Sequence, residues 1–321
     1  MEPIIRCFNI TKQFKTILAL DEVTVDFPKG VIGLVGPNGA GKTTLLKILL
    51  GLILPTDGSA TVLGYDIRKE IENVRQYCGY MSERDTFIYD VTAKKLVTHF
   101  CQLSGLSRTD SLQRAHDILS FAGLGEERHR KVGTYSKGMK QKLKLALSIV
   151  HSPRLVFLDE PTDGMDPEGR ERMLAIIKNL SKESDINIIL STHILPDIER
   201  IGDHLIVLDR GHIKASSPLE ELLKKFKNTI RVQVIGDPGL LIADLRKNSF
   251  FNVYQGRETG ELVLEALFDR NDPLDQKKTV KLLLEMIKKN NLGLASLRPH
   301  SLKLEDVFMD ILEGEIHIND F

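Results

Sequence analysis

The chain has no excess of charge of either sign. Its 321 residues carry 44 Lys and Arg against 44 Asp and Glu, so no global basic field exists to draw in nucleic acid or an anionic membrane surface. It also lacks a long apolar run. The longest, Leu45 to Leu54, contains Lys47 and Gly51, whereas a bilayer-crossing helix needs roughly 20 apolar residues. The opening MEPIIRCF holds no secretory hydrophobic segment. Cysteine is scarce: Cys7, Cys78 and Cys101 are far apart, odd in number and without a CxxC pair. Reduced, structural thiols in a cytoplasmic protein are therefore expected. No internal repeat and no low-complexity segment is present.

What remains is ordinary globular composition, with 42% hydrophobic and 27% charged residues, in a chain long enough for one sizeable domain plus a smaller one. The first two-thirds alternates β-rich runs with helical patterns, which predicts an α/β fold with a mainly parallel sheet. Gly30–Val35, Leu155–Leu158 and Ile186–Leu190 are continuous apolar runs that suit strands buried on both faces. Each ends in a polar cluster, and ligands gather at the carboxyl ends of such strands. Between Arg84 and Gly133 the pattern is helical, with amphipathic stretches at Ala93–Leu103 and Leu112–Ala122. Met173, Ile176, Ile177 and Leu180 recur at helical spacing, and Arg210–Pro218 reads as a turn, a short strand and a helix start.

A composition break follows Lys224–Asn228. Beyond it the pattern predicts strand Ile230–Ile235, helix Leu240–Lys247, strands Phe251–Tyr254 and Leu262–Ala266, helix Lys278–Lys288, strand Gly293–Leu297 and helix Leu302–Leu312. Ser301 is the expected N-cap of the last helix, whose apolar face is Leu304, Val307, Phe308, Ile311 and Leu312. Residues 1–227 are therefore expected to form the main domain, with a helical subdomain at about 84–134, and 228–321 a small α+β domain.

The decisive motif is Gly36-Pro37-Asn38-Gly39-Ala40-Gly41-Lys42-Thr43, a G-x-x-x-x-G-K-[ST] loop between a predicted strand and the helix Thr44–Leu50. Glycines let the backbone wrap closely around a polyphosphate, and N–H groups at a helix start donate to it. Lys42 is expected on the β- and γ-phosphates and the Thr43 hydroxyl on Mg²⁺. The apolar strand ending in Asp159 supplies the second Mg²⁺ contact, and Glu160 follows where it can polarise an attacking water. ATP and Mg²⁺ are the expected ligands of a nucleotide phosphohydrolase.

The segment Thr134-Tyr135-Ser136-Lys137-Gly138-Met139-Lys140-Gln141 identifies the type, because here the chain resembles the ATP-binding cassette (ABC) family. Ser136–Met139 lines up with that family's signature, Asp159-Glu160-Pro161-Thr162 with its acidic strand end, Gly164-Met165-Asp166 with its D-loop, and His193 with its switch histidine. The resemblance spans residues 4–227 and implies a P-loop cassette with a RecA-like core, an antiparallel β-subdomain and an inserted helical subdomain. It also implies a head-to-tail dimer with a second cassette, identical or related, and separate transmembrane permease subunits. Nucleic acid is not an expected partner. In such a dimer Ser136, with Lys137, Gly138 and Met139, would close over the γ-phosphate held by Lys42, Thr43 and Thr44 of the other subunit. Asp166 would lie at the seam, His193 would hydrogen-bond the γ-phosphate and position Glu160 and water, and Phe14 would stack on adenine in place of the more usual Tyr.

Two departures stand out. Glu83 occupies the place usually held by Gln, where it is expected to touch Mg²⁺ and water with added negative charge. Lys137 replaces the first signature Gly and Met139 the usual Gln. The Tyr135–Met139 run and the Pro299…Leu304-Glu305-Asp306-Val307-Phe308 ending resemble bacterial exporters with separate ATPase and permease chains. Export is thus the leading expectation, beside two alternatives: a non-transport cassette, and a weakly hydrolysing regulatory subunit.

Overall fold

The computed structural model describes residues 2–226, 229–247, 251–255, 261–266, 273–300 and 304–313. The chain divides into two units, one of Met1–Leu219 with Asp310–Phe321 and one of Glu220–Met309. In chain order the first runs β1 (Ile5–Phe14), β2 (Ile17–Phe27), β3 (Val31–Val35), α1 (Lys42–Leu49), β4 (Asp57–Val62), β5 (Tyr65–Asp66), α2 (Ile71–Tyr77), β6 (Cys78–Met81), α3 (Ala93–Leu103), α4 (Arg108–Phe121), α5 (Lys137–Ser148), β7 (Leu155–Asp159), α6 (Pro167–Ser184), β8 (Asn187–Thr192), α7 (Leu195–Ile201), β9 (His204–Asp209) and β10 (His212–Pro218). The chain continues as α8 (Leu219–Phe226), β11 (Thr229–Ile235), α9 (Gly239–Arg246), β12 (Phe251–Gln255), β13 (Glu261–Ala266), α10 (Pro273–Lys289), β14 (Gly293–His300) and α11 (Leu304–Glu313).

The first unit holds two sheets. An antiparallel sheet of order β2-β1-β4-β5 lies beside a six-stranded sheet of order β10-β9-β3-β8-β7-β6. In the latter β6, β7, β8, β3 and β9 are parallel and only β10 turns back. Every residue of β3 and β7 is buried, which is why β3 and Leu155–Leu158 of β7 are continuous apolar runs rather than alternating ones. Phe27, Leu34, Leu45, Leu46, Ile48, Phe157 and Ile189 share one core that joins both sheets to α1. Each fully buried side chain of this size contributes about 1.5–3 kcal/mol of transfer free energy.

Helix starts are set by polar caps, and this is where the sequence-based bounds shift. Ser107 accepts from the Asp110 N–H and donates its hydroxyl to the Asp110 carboxylate, so α4 begins at Arg108, before the first apolar residue of the expected Leu112–Ala122 stretch. Thr92 caps α3 through the Lys95 N–H, and Asp166 caps α6 with Pro167 in its first turn. Each such cap is worth about 1 kcal/mol. α3 and α4, which lie between β6 and α5 in chain order, pack against each other as a helical pair, as the residue pattern of 84–133 predicts.

The second unit is a four-stranded antiparallel sheet of order β12-β13-β11-β14. Its connectivity β11-α9-β12-β13-α10-β14 is the split β-α-β, ferredoxin-like arrangement. Its core unites Val232, Leu241, Leu245, Leu262, Leu264 and Leu283. On α11 Leu304, Val307 and Ile311 are buried. The expected cap Ser301 and the expected domain boundary at 227/228 lie outside the described residues.

Candidate functional site

β3, β8, β7 and β6 are consecutive in the sheet and parallel, so their carboxyl ends open on one edge. The Gly36–Gly41 loop leaves β3 there, Glu160 follows β7, His193 follows β8 and Glu83 follows β6. The loop conformation requires glycine in two ways. Gly36 passes so close to β9 that a Cβ would stand 2.0 Å from the Leu208 carbonyl oxygen, and Gly41 adopts φ +109. α1 then starts at Lys42 with no side chain capping it, which leaves its first N–H groups aimed at the loop.

Lys42 is buried, and its ammonium donates to the carbonyls of Gly36 (2.6 Å) and Pro37 (3.3 Å). It lies 3.7 Å from Glu160 Oε1. Burial lowers its pKa, against the opposing pull of the Glu160 and Asp159 carboxylates. Thr43 donates its hydroxyl to Asp159 Oδ2 at 2.8 Å. Asp159 is fully buried, and burial raises its pKa while the Thr43 hydrogen bond partly offsets this. Its Oδ1 has no hydrogen-bond partner. The Tyr80 hydroxyl stands 3.5 Å from Oδ2 and the Ser191 hydroxyl adjoins without reaching hydrogen-bonding geometry. A hydroxyl beside a buried carboxylate with one unengaged oxygen is a hard-oxygen donor set that fits Mg²⁺, an ion held by one or two carboxylates plus phosphate and water.

Glu160 adopts φ +49, a left-handed conformation that costs a non-glycine residue on the order of 1 kcal/mol. Its N–H donates to the Ser191 carbonyl at 2.9 Å, which ties it to β8. Its Oε2 lies 3.0 Å from His193 Nδ1; an ionised carboxylate only accepts, so Nδ1 is the donor.

A cavity of about 430 Å³ is lined by Asn38–Thr44, Glu83, Glu160 and His193. Asp159, Gly36 and Pro37 do not line it themselves; they hold the lining residues Thr43 and Lys42. Four lining residues were not legible as such: Ile17, Leu18, Ala19 and Asp163. Phe14 does not line the cavity. It pairs with Ile17 across the β1–β2 turn, and the Lys12 ammonium sits 4.9 Å from its ring centroid. The next residues of the hairpin, Ile17 and Leu18, take that wall instead.

The signature residues Ser136–Met139 also stand apart from the lining of their own chain's cavity. Ser136 caps α5 by accepting from the Met139 N–H at 3.3 Å. Lys137 forms an ion pair with Asp163 at 2.8 Å, and Gln141 donates to the Asp163 carbonyl. Asp166 accepts from the Gly169 N–H at 3.4 Å. Behind this loop the buried Asp197 accepts from Thr162 (2.6 Å) and Arg170 (2.5 Å), joining the segment after Glu160 to the helix after His193. Nothing in the sequence pattern singled out Asp197 or Tyr80.

Comparison with known proteins agrees with this geometry. The profile of the ABC transporter family matches residues 20–163. The bacitracin transport ATP-binding protein BcrA of Bacillus licheniformis is 29% identical over 315 residues, covering 98% of this chain and 99% of that protein. The ABC transporter ATP-binding protein NatA of Bacillus subtilis (strain 168) is 34% identical over 210 residues, 65% of this chain and 85% of that protein. A solved ATP binding subunit of an ABC transporter superposes with a TM-score of 0.61 at 27% identity, over 70% of this chain and 93% of that one.

Proposed function

The chain belongs to the ABC transporter family as an ATP-binding ATPase subunit, and from that premise we propose that it powers export through a separate transmembrane permease. The match to a bacitracin transport protein along nearly the whole of both chains supports this reading. No helix among the described residues is long and apolar enough to cross a membrane. The permease would therefore supply the membrane path and hold this subunit at the inner face of the membrane.

Within the site, Lys42 and the open N–H groups of α1 bind the triphosphate, with the base toward Ile17 and Leu18 or, once Lys12 leaves its ring, Phe14. Thr43, Asp159 and Glu83 would hold Mg²⁺, which when bound offsets phosphate charge. Glu160, kept in place by His193 and the Ser191 carbonyl, orients water for in-line attack on the γ-phosphate. Ser136–Met139 caps the triphosphate of a second copy, with Asp166 at the seam. The observation that carries the proposal is the Glu160–His193 pair standing over Lys42 in one cavity. Residues 228–321 would serve as an accessory domain.

Measuring ATP turnover and ATP binding of the Glu160→Gln chain tests it. Retained binding with turnover lost supports the assignment; turnover equal to the parent removes Glu160 from the chemistry.

A further inference from the structure

Glu83 reaches the cavity from a loop with no regular structure of its own between β6 and α3, and the hold on that loop comes from the helix that starts at the signature. The Lys144 ammonium, on α5, donates to the carbonyls of Ser82 (3.0 Å) and Glu83 (2.8 Å). It also stands 3.5 Å from the Asp85 carboxylate. These three oxygens match its three N–H donors, and the side chain is only 6% exposed. One turn earlier on the same helix face, Lys140 lies 3.6 Å from Asp85 and 5.3 Å from the Tyr89 ring centroid. An amine this enclosed is costly unless it is fully partnered, and burial lowers its pKa although Asp85 opposes this. Such a charge is a poor way to gain stability, because well-packed apolar replacements of buried charges are often neutral or better. What it does supply is direction: two consecutive carbonyls fixed by one ammonium define where the Glu83 side chain departs.

We propose that Lys144 is a positioning residue for hydrolysis, fixing the Ser82–Glu83 backbone to α5 so that the Glu83 carboxylate stays at the cavity wall. Because α5 also carries Ser136 at its start, movement of the cap and movement of Glu83 are then one event. This rests on the ATPase reading of the site and on Glu83 acting in it.

The test is a double-mutant cycle on the full-length chain with Glu83→Ala, Lys144→Met and the pair, measuring turnover across a Mg²⁺ titration and, without nucleotide, amide exchange of residues 82–89. Lys144→Met should lower kcat about tenfold, within the loss that a small misplacement of a catalytic group produces. It should raise the Mg²⁺ concentration needed for half-maximal rate, speed exchange in 82–89, and leave the double variant no slower than Glu83→Ala. Losses that multiply, unchanged exchange, or a parental kcat in Lys144→Met overturn the proposal. A parental rate in Glu83→Ala instead overturns the reading of Glu83, and the proposal with it. Lys144→Gln, whose shorter amide cannot span both carbonyls, is the variant to use should Lys144→Met not fold: a slowed, Mg²⁺-shifted enzyme is expected, and a parental profile overturns the inference.

Discussion

The Nδ1 of His193 and the Oε2 of Glu160 are 3.0 Å apart although 33 residues separate them in sequence. The contact exists because β7 and β8 are parallel neighbours that end at the same level, with Asp159 paired to Ser191. It fixes a carboxylate whose own backbone is held in an unfavourable conformation. Removing the imidazole should leave ATP affinity nearly unchanged and lower kcat about a hundredfold, the usual scale for losing one oriented polar group at a reacting centre. Steady-state kinetics of His193→Ala check this; a loss confined to KM would assign His193 to binding alone.

Lys42 predicts two opposite pH slopes. Only the charged ammonium binds phosphate, so affinity for ATP should fall as pH rises through its lowered pKa. In the nucleotide-free protein the folded state gives up this proton before the unfolded state does. Between the two pKa values the unfolded chain thus holds more protons, and stability should rise with pH there. Nucleotide titrations and chemical denaturation across alkaline pH measure both slopes, and Lys42→Met should abolish each.

Asp197 predicts a stability effect. It is buried and accepts from Thr162 and Arg170. Truncation leaves the Thr162 hydroxyl and a partly enclosed guanidinium without their acceptor. Asp197→Ala should destabilise the first unit by about 3 kcal/mol, the lower end for breaking a buried pair from one side. Thermal or urea unfolding checks it; a loss below about 1 kcal/mol would mean water replaces the carboxylate.

The α/β architecture was readable because β3, Leu155–Leu158 of β7 and Ile188–Leu190 of β8 are apolar runs, and the phosphate loop because glycine spacing and a lysine at a strand–helix junction have a local cause. The ferredoxin-like connectivity of β11–β14 followed the predicted order of strands and helices, although the order of strands within the sheet came only from pairing. Contacts between distant segments were not readable. Asp197 lies in a helix whose sequence resembles any amphipathic turn, and its partners are 35 and 27 residues away. Lys144 read as one of several basic residues on α5, and only the structure puts its ammonium on the Ser82 and Glu83 carbonyls. Phe14 is the instructive case: the aromatic is where the pattern puts it, yet the β1–β2 turn presents Ile17 and Leu18 to the cavity.

The central claim is that one chain's Ser136–Met139 covers the triphosphate held by another's Lys42. Sedimentation of Glu160→Gln with and without Mg²⁺–ATP tests it most directly. A monomer that becomes a dimer only with nucleotide, and fails to do so when Ser136→Arg is added, is the predicted result. A strictly monomeric species under every condition, from a parent chain that hydrolyses ATP at full rate as a monomer, would contradict it.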